Sequence, residues 1–166
     1  NVANVAIGGV FAVDGLHYKQ FKISQDSDSI ELYTDGGEAR ANLTGGSLNG
    51  LIHMYNSELP DQLEAIDNLA STLMDNVNSI HQQGFTLTDP TLTGIDFFAG
   101  YESGKLEINQ DLIDDPYFLA ISEDGTNGNN TIAIQIAELK NSDLLNGRTL
   151  SENYSELVSK VANEIT

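Results

Sequence analysis

The feature that most constrains this fold is one long amphipathic segment, Ser47 to Gln83, which follows Thr44-Gly45-Gly46 and is closed by Gly84. Apolar residues recur along it in steps of three or four, a period of roughly 3.6 that predicts one face of an α-helix. The members of this apolar stripe are Leu48, Leu51, Tyr55, Leu59, Leu63, Ile66, Leu69, Leu73, Val77 and Ile80. A straight helix of this length would reach about 55 Å at 1.5 Å per residue. Such a rod is more typical of extended assemblies than of small enzymes.

Both ends of this helix carry capping signals, and one proline interrupts it. Thr44 or Ser47 is expected to cap the first turn, and Gly84 to take the left-handed C-terminal position. Pro60 removes one backbone hydrogen bond, which costs about 3 kcal/mol in a helix interior. We therefore expect a kink between Asn56 and Pro60, or a break after which the helix restarts with Pro60 in its first turn. The apolar stripe must be covered by the rest of this chain or by segments outside it.

The sequence on either side of the long helix predicts an α+β fold. Residues 1–43 alternate between apolar and turn-forming residues, which predicts a small antiparallel β meander. Its expected turns are Gly8-Gly9, Asp14-Gly15, Asp26 to Ser29 and Asp35-Gly36-Gly37. A further strand is expected from Lys105 to Asn109, within a mixed segment of strands and turns.

Two shorter helices are expected to close the chain. One spans about Asn130 to Lys140; its inward residues are Ile132, Ile136, Ala137 and Leu139. The other runs from about Ser151 to the end, after a capping box from Thr149 to Glu152. Its apolar side carries Tyr154, Leu157, Val158, Val161, Ala162 and Ile165. We therefore divide the chain into a β-rich subdomain (1–43), a long axial helix (44–84), a mixed segment (85–125) and a C-terminal helical pair that packs with the long helix (126–166).

Charge and composition exclude several classes of function. The net charge is −18, and no Lys or Arg lies between Arg40 and Lys105. Such a surface repels phosphate, so nucleic acid and anionic membranes are not expected as partners. No apolar run approaches the ~18 residues that cross a bilayer. The absence of cysteine excludes disulfides, thiolate metal sites and thiol catalysis.

No motif in the sequence predicts catalysis or cofactor binding. His17, His53 and His81 lie far apart, and none has a second ligand at metal spacing. The loop that begins at Asp124-Gly125 lacks the fifth and twelfth ligands of a calcium loop, so a polar turn is favoured. No nucleophile elbow or phosphate-binding glycine loop occurs. We expect no catalytic, cofactor-binding or metal-binding residues and no cofactor.

Several runs, spread over nearly the whole chain, resemble the flagellar hook-associated protein 1 family, the hook–filament junction protein. The similar runs are Asn4 to Val10, Gly45 to Ile52, Leu59-Pro60, Leu63 to Ala70, Val77 to Phe85, Asp96 to Phe98, Asp115 to Ala120 and Tyr154 to Val161. The most specific part is the Asn-x-x-His-x-x-Gly ending of the long helix, formed by Asn78, His81 and Gly84.

This resemblance implies a non-enzymatic structural protein of the bacterial flagellum that is exported unfolded by the flagellar type III apparatus and is extracellular. Family members form a ring on the distal end of the hook. The implied partners are other copies in the ring, the hook protein, a second junction protein and an export chaperone. This sequence lacks the family's terminal helical segments, through the last of which the chaperone would bind. We therefore expect a core fragment that is monomeric in dilute solution.

Two other functions stay open from the residues themselves. One is an acidic extracellular adhesin or a flagellin-type filament subunit. The other is a hydrolase that uses an unrecognised pair of carboxylates, which the many Asp and Glu residues would permit. No local motif favours the hydrolase.

Overall fold

The structure, a computed structural model, describes residues 4–25, 29–35, 37, 39–102 and 104–164. It combines small antiparallel sheets with helices, which confirms the predicted α+β class. The chain divides into two compact units, Asn1–Leu63 and Glu64–Thr166, and the boundary falls within the long helix. The predictions made for residues 26–28, Gly36 and Ile165 lie outside the described residues.

The first unit begins with a three-stranded antiparallel sheet. β1 (Val5–Ile7), β2 (Val10–Asp14) and β3 (His17–Tyr18) are neighbours in that order. The predicted turn at Gly8-Gly9 joins β1 to β2, and φ is 57° and 81° at these glycines, as a two-residue type I′ turn requires. The second turn lies one residue later than predicted, because Gly15 and Leu16 join β2 to β3.

A separate hairpin completes the strands of the first unit. β4 (Phe21–Gln25) pairs antiparallel with β5 (Ile30–Thr34), so the predicted meander is divided between two sheets. The buried residues among those described in this unit are Leu32, Thr34 and Ala41. Ala41 reaches this small core because its N–H donates to the carbonyl of Leu32 at 2.8 Å.

The long helix runs without interruption from Gly46 to His81 and contains one π-helical turn. α1 (Gly46–His53) leads into the π turn (Met54–Glu58), and α2 (Leu59–His81) follows directly. The second predicted alternative placed Pro60 in the first turn of a helix that restarts after a break. Pro60 does lie in the first turn of α2, but the helix widens before it instead of breaking. Predicted capping by Thr44 or Ser47 is wrong, because Gly45 is the N-cap residue and no side chain caps this end.

The second unit adds a hairpin and short helices to most of α2. β6 (Phe98–Glu102) pairs antiparallel with β7 (Lys105–Ile108), which confirms the strand predicted there. The short helix α3 (Gln110–Asp114) and a 3₁₀ turn (Pro116–Phe118) follow, and neither was predicted.

The two predicted C-terminal helices are present. They are α4 (Thr131–Glu138), extended by a 3₁₀ turn, and α5 (Leu150–Glu164). The capping box before α5 is confirmed: the Thr149 N–H donates to Glu152 Oε2 at 2.9 Å, and the Glu152 N–H donates to Thr149 Oγ1 at 3.2 Å. Ala137 is exposed and not inward as predicted, whereas Ile132 is buried. The packing of this pair on the long helix and the four-segment division stay predictions.

Eight of the described residues of the second unit are buried, two of them near the end of α2. They are Val77, His81, Gly84, Thr86, Leu112, Ala120, Ser122 and Ile132. Half of these residues have a polar side chain or are glycine, so the buried polar groups must be satisfied by hydrogen bonds. A helix that could span a membrane is not found in the described part of the chain.

Candidate functional site

The side chains that could carry chemistry are not brought together. His17 and His53 are exposed, and His81 is fully buried. Nowhere in the described part of the chain do three or more His, Asp or Glu side chains form a group that could hold a metal ion. The structure shows two other features: side-chain contacts that hold backbone segments in place, and an exposed apolar surface.

The loop that begins at Asp124 is organised by its own carboxylate. Asp124 Oδ1 accepts hydrogen bonds from Ser122 Oγ at 3.1 Å, from the Thr126 N–H at 3.0 Å and from Asn129 Nδ2 at 3.0 Å. Hydrogen bonds from the side chain and the backbone of Thr126 are the main cause that lowers the pKa of Asp124. These contacts form a polar turn, the alternative that the sequence favours over a calcium loop.

Asn78 holds the start of the β6–β7 hairpin against the C-terminal half of α2. Its Oδ1 accepts from the N–H groups of Phe97 at 3.0 Å and Phe98 at 2.8 Å. Its Nδ2 donates to the Phe98 carbonyl at 2.9 Å. One carboxamide thus satisfies three backbone groups, which would otherwise have to find water or remain unpaired.

One turn further along α2, His81 joins two more backbone segments. Its Nδ1 lies 2.6 Å from the Ile95 carbonyl, and its Nε2 lies 3.0 Å from the Ala120 amide nitrogen. Because a carbonyl only accepts and an amide N–H only donates, this geometry assigns the proton to Nδ1 and leaves Nε2 as the acceptor. The neutral tautomer therefore bridges both segments inside the core. The ring of Phe97 packs edge-on to His81, with centroids 5.6 Å apart.

Gly84 is required for close approach and not for a left-handed turn. Its φ is not positive, so the predicted left-handed position is wrong. A Cβ built at Gly84 would lie 1.9 Å from the Ala120 carbonyl oxygen, far inside van der Waals contact. Any side chain here would therefore displace the segment that His81 also holds. We call Asn78, His81 and Gly84 the helix-end clamp.

The first unit contains a similar device in the π turn. Asn56 Oδ1 accepts from the Ile30 N–H at 2.7 Å, and Asn56 Nδ2 donates to the Ile30 carbonyl at 2.8 Å. Next to it, Tyr55 Oη accepts from Gln25 Nε2 at 3.0 Å. Gln25 and Ile30 are paired residues of the β4–β5 ladder, so adjacent residues of the π turn hold both strands of that hairpin.

The apolar stripe is not uniformly covered. Val77, near the end of the helix, is 6% exposed, as expected for a core residue. In the first unit, four members of the stripe are exposed: Leu48 (40%), Leu51 (64%), Leu59 (44%) and Leu63 (61%). We call these four residues the leucine row. The stripe was expected to be covered either by the rest of this chain or by segments outside it. The described part of the chain does not cover the leucine row.

The sequence of this region decides the family. A family model for the helical domain of the flagellar hook-associated protein FlgK matches residues 1–98. The chain belongs to the FlgK family. The matched part of this FlgK-family chain includes the leucine row, the π turn and the helix-end clamp, and it ends at Phe98, which Asn78 holds. Neither a curated protein nor a solved structure matches the chain.

Membership in the FlgK family confirms the resemblance and gives the chain a structural, hook-associated role in the bacterial flagellum. The residues that form the helix-end clamp were visible in the sequence as the most specific part of the resemblance. Their physical role was not, because the groups they contact lie 14 to 39 residues away along the chain. That no catalytic, cofactor or metal residue exists stays a prediction.

Proposed function

We propose that this FlgK-family protein joins the flagellar hook to the filament as part of a junction ring outside the cell. Its partners would be other copies of itself, the hook protein and a second junction protein, and it would reach them by flagellar type III export with the help of a chaperone. The match with the FlgK helical domain supports this position in the flagellum.

The leucine row is the observation that carries the proposal beyond family membership. Four leucines exposed on one long helix form an apolar surface that soluble monomers seldom keep uncovered. A long helix with one apolar face is stabilised mainly by packing against other helices. We therefore assign the leucine row to contacts with helices of the assembled flagellar subunits.

The proposed role needs no bond to be made or broken, and we propose that the protein is not an enzyme. The polar side chains of the long helix that hold distant segments, Asn56, Asn78 and His81, have their hydrogen-bonding atoms engaged with backbone groups. Such side chains position segments of the fold and have no free atom to direct at a substrate.

The net charge opposes these apolar contacts between copies at low ionic strength. With a net charge of −18, copies of this chain repel one another at low ionic strength. We expect the 166-residue chain to be monomeric in dilute, low-salt solution, despite the leucine row. Light scattering that shows a stable closed ring under these conditions would contradict this part of the proposal.

Genetic complementation tests the proposal. Cells that lack the gene should carry hooks without filaments and release flagellin into the medium, and the wild-type gene should restore filaments. A gene with Leu51→Ser and Leu59→Ser should fail to restore them, whereas Asp61→Asn, at an exposed polar position of the same helix, should succeed. Because both leucines are exposed, each substitution should change the free energy of unfolding by less than about 0.5 kcal/mol.

The outcomes separate the alternatives. Normal filaments in cells without the gene, with loss of surface attachment, would replace the junction role by that of an adhesin. Filaments restored by the double leucine variant would refute the assignment of the leucine row. Urea unfolding of the purified variants shows whether a failure to complement comes from the surface or from loss of the fold.

A further inference from the structure

Pro60 and the π turn lie next to each other on the long helix. In the π turn, the Leu59 N–H donates to the carbonyl of Met54, five residues back. Had the helix stayed α-helical, the ring of Pro60 would collide with the carbonyl of Asn56, four residues before it, and that carbonyl would lose its donor. We infer that widening the helix at Met54–Glu58 relieves this collision.

The residue displaced in this way is the one that pairs with the hairpin. Asn56 makes two hydrogen bonds to the backbone of Ile30, at 2.7 and 2.8 Å, and both need its side chain to leave the helix in one direction. Tyr55 needs a related direction to reach Gln25. Each residue of an α-helix turns by about 100°, so closing the π turn would rotate these side chains relative to α2 by a similar angle.

The same rotation determines whether three members of the leucine row, Leu51, Leu59 and Leu63, lie on one face. In an uninterrupted α-helix, Leu51 would lie about 80° from Leu59 and about 120° from Leu63 around the axis. The extra residue that a π turn accommodates reduces both angles by about 100°, which brings Leu59 and Leu63 each within about 20° of Leu51. The π turn therefore aligns Leu51, which precedes it, with Leu59 and Leu63, which follow it.

We propose that Pro60 is a positioning residue that fixes the rotation of the helix at the π turn. Its ring prevents the helix from closing into a continuous α-helix. Two consequences follow within the first unit: Asn56 and Tyr55 reach the β4–β5 hairpin, and Leu51, Leu59 and Leu63 form one face. The first consequence is independent of the proposed function, whereas the importance of the second for assembly rests on it.

Hydrogen exchange of the Ile30 amide in the full chain tests this inference. In Pro60→Ala we expect the helical circular dichroism to be kept or increased and the Ile30 amide to exchange about tenfold faster, because its hydrogen bond to Asn56 is lost. Asn56→Ala should give the same acceleration without changing the helix rotation. Asp61→Ala, the neighbouring exposed position, should leave the exchange of Ile30 unchanged.

Two results would overturn the inference. One is an Ile30 amide that exchanges at the wild-type rate in Pro60→Ala but faster in Asn56→Ala, since Asn56 would then find the hairpin without the proline. The other is a loss of helical signal in Pro60→Ala, since the helix is expected to close and not to melt. Neither result depends on filament assembly, so the failure of this inference is distinguishable from that of the proposed function, which the Leu51→Ser, Leu59→Ser complementation reports.

Discussion

Replacing Asn78 by alanine removes one side chain that three backbone groups depend on. The N–H groups of Phe97 and Phe98 lose their acceptor, and the Phe98 carbonyl loses its donor. A hydrogen bond contributes about 1 kcal/mol net, and a buried group left unpaired costs about 1–3 kcal/mol. Because this site is only half-buried, water can reach part of it, and we expect the lower end, about 3 kcal/mol in total.

Urea unfolding followed by far-ultraviolet circular dichroism measures this loss in the free energy of unfolding. Hydrogen exchange of the Phe97 and Phe98 amides shows whether the loss arises at these two residues. The matched control is Asn68→Ala, the same chemical change at an exposed position of the same helix. Alanine is a better helix former than asparagine, so the free energy of unfolding of the control should rise by roughly 0.5 kcal/mol. Equal free energies of unfolding for the two variants would refute the reasoning that Asn78 anchors the hairpin.

Two further predictions concern the same unit. Gly84→Ala should lower the free energy of unfolding by at least about 2 kcal/mol, because the new methyl group would overlap the Ala120 carbonyl; thermal unfolding measures it, and Gly100→Ala, where a Cβ meets nothing within 4 Å, is the control that should stay unaffected. Hydrogen bonds from the backbone and side chain of Thr149 lower the pKa of Glu152. The ionised carboxylate thus favours the fold above its unfolded pKa, and this contribution disappears as the pH falls through the lower folded pKa. The protection of the Thr149 amide, its exchange rate relative to that of an unstructured peptide at the same pH, should fall over that acidic range, and Glu152→Gln should remove this change in protection.

Local features of the fold were predictable because their causes are local. Gly8-Gly9 permits the positive φ values that a two-residue hairpin needs, and Thr149 and Glu152 satisfy each other's backbone within one turn. The periodicity of the apolar stripe likewise predicted a long helix. Since spacing reports which residues share a face but not what covers it, the exposure of the leucine row could not be predicted.

Features that depend on distant partners were missed or assigned the wrong cause. Gly84 follows the end of a helix, a place where glycine usually serves a left-handed conformation, yet here the reason is the carbonyl of Ala120. Pro60 predicted a disturbance of the helix at the correct place, but not that a π turn would absorb it. The contacts of Asn56 and Asn78 required knowledge of where two hairpins lie, which the sequence of the helix does not contain.

Asn56 and Asn78 each offer a donor and an acceptor to one residue of a hairpin, much as the backbone of an adjacent strand would. A side chain cannot propagate a sheet, so each of these ladders terminates where the carboxamide binds. Losing either amide would leave an unfinished β edge open to recruitment by another polypeptide, which is a route to aggregation. Loss of either asparagine side chain would then lower the solubility of this protein as well as its stability.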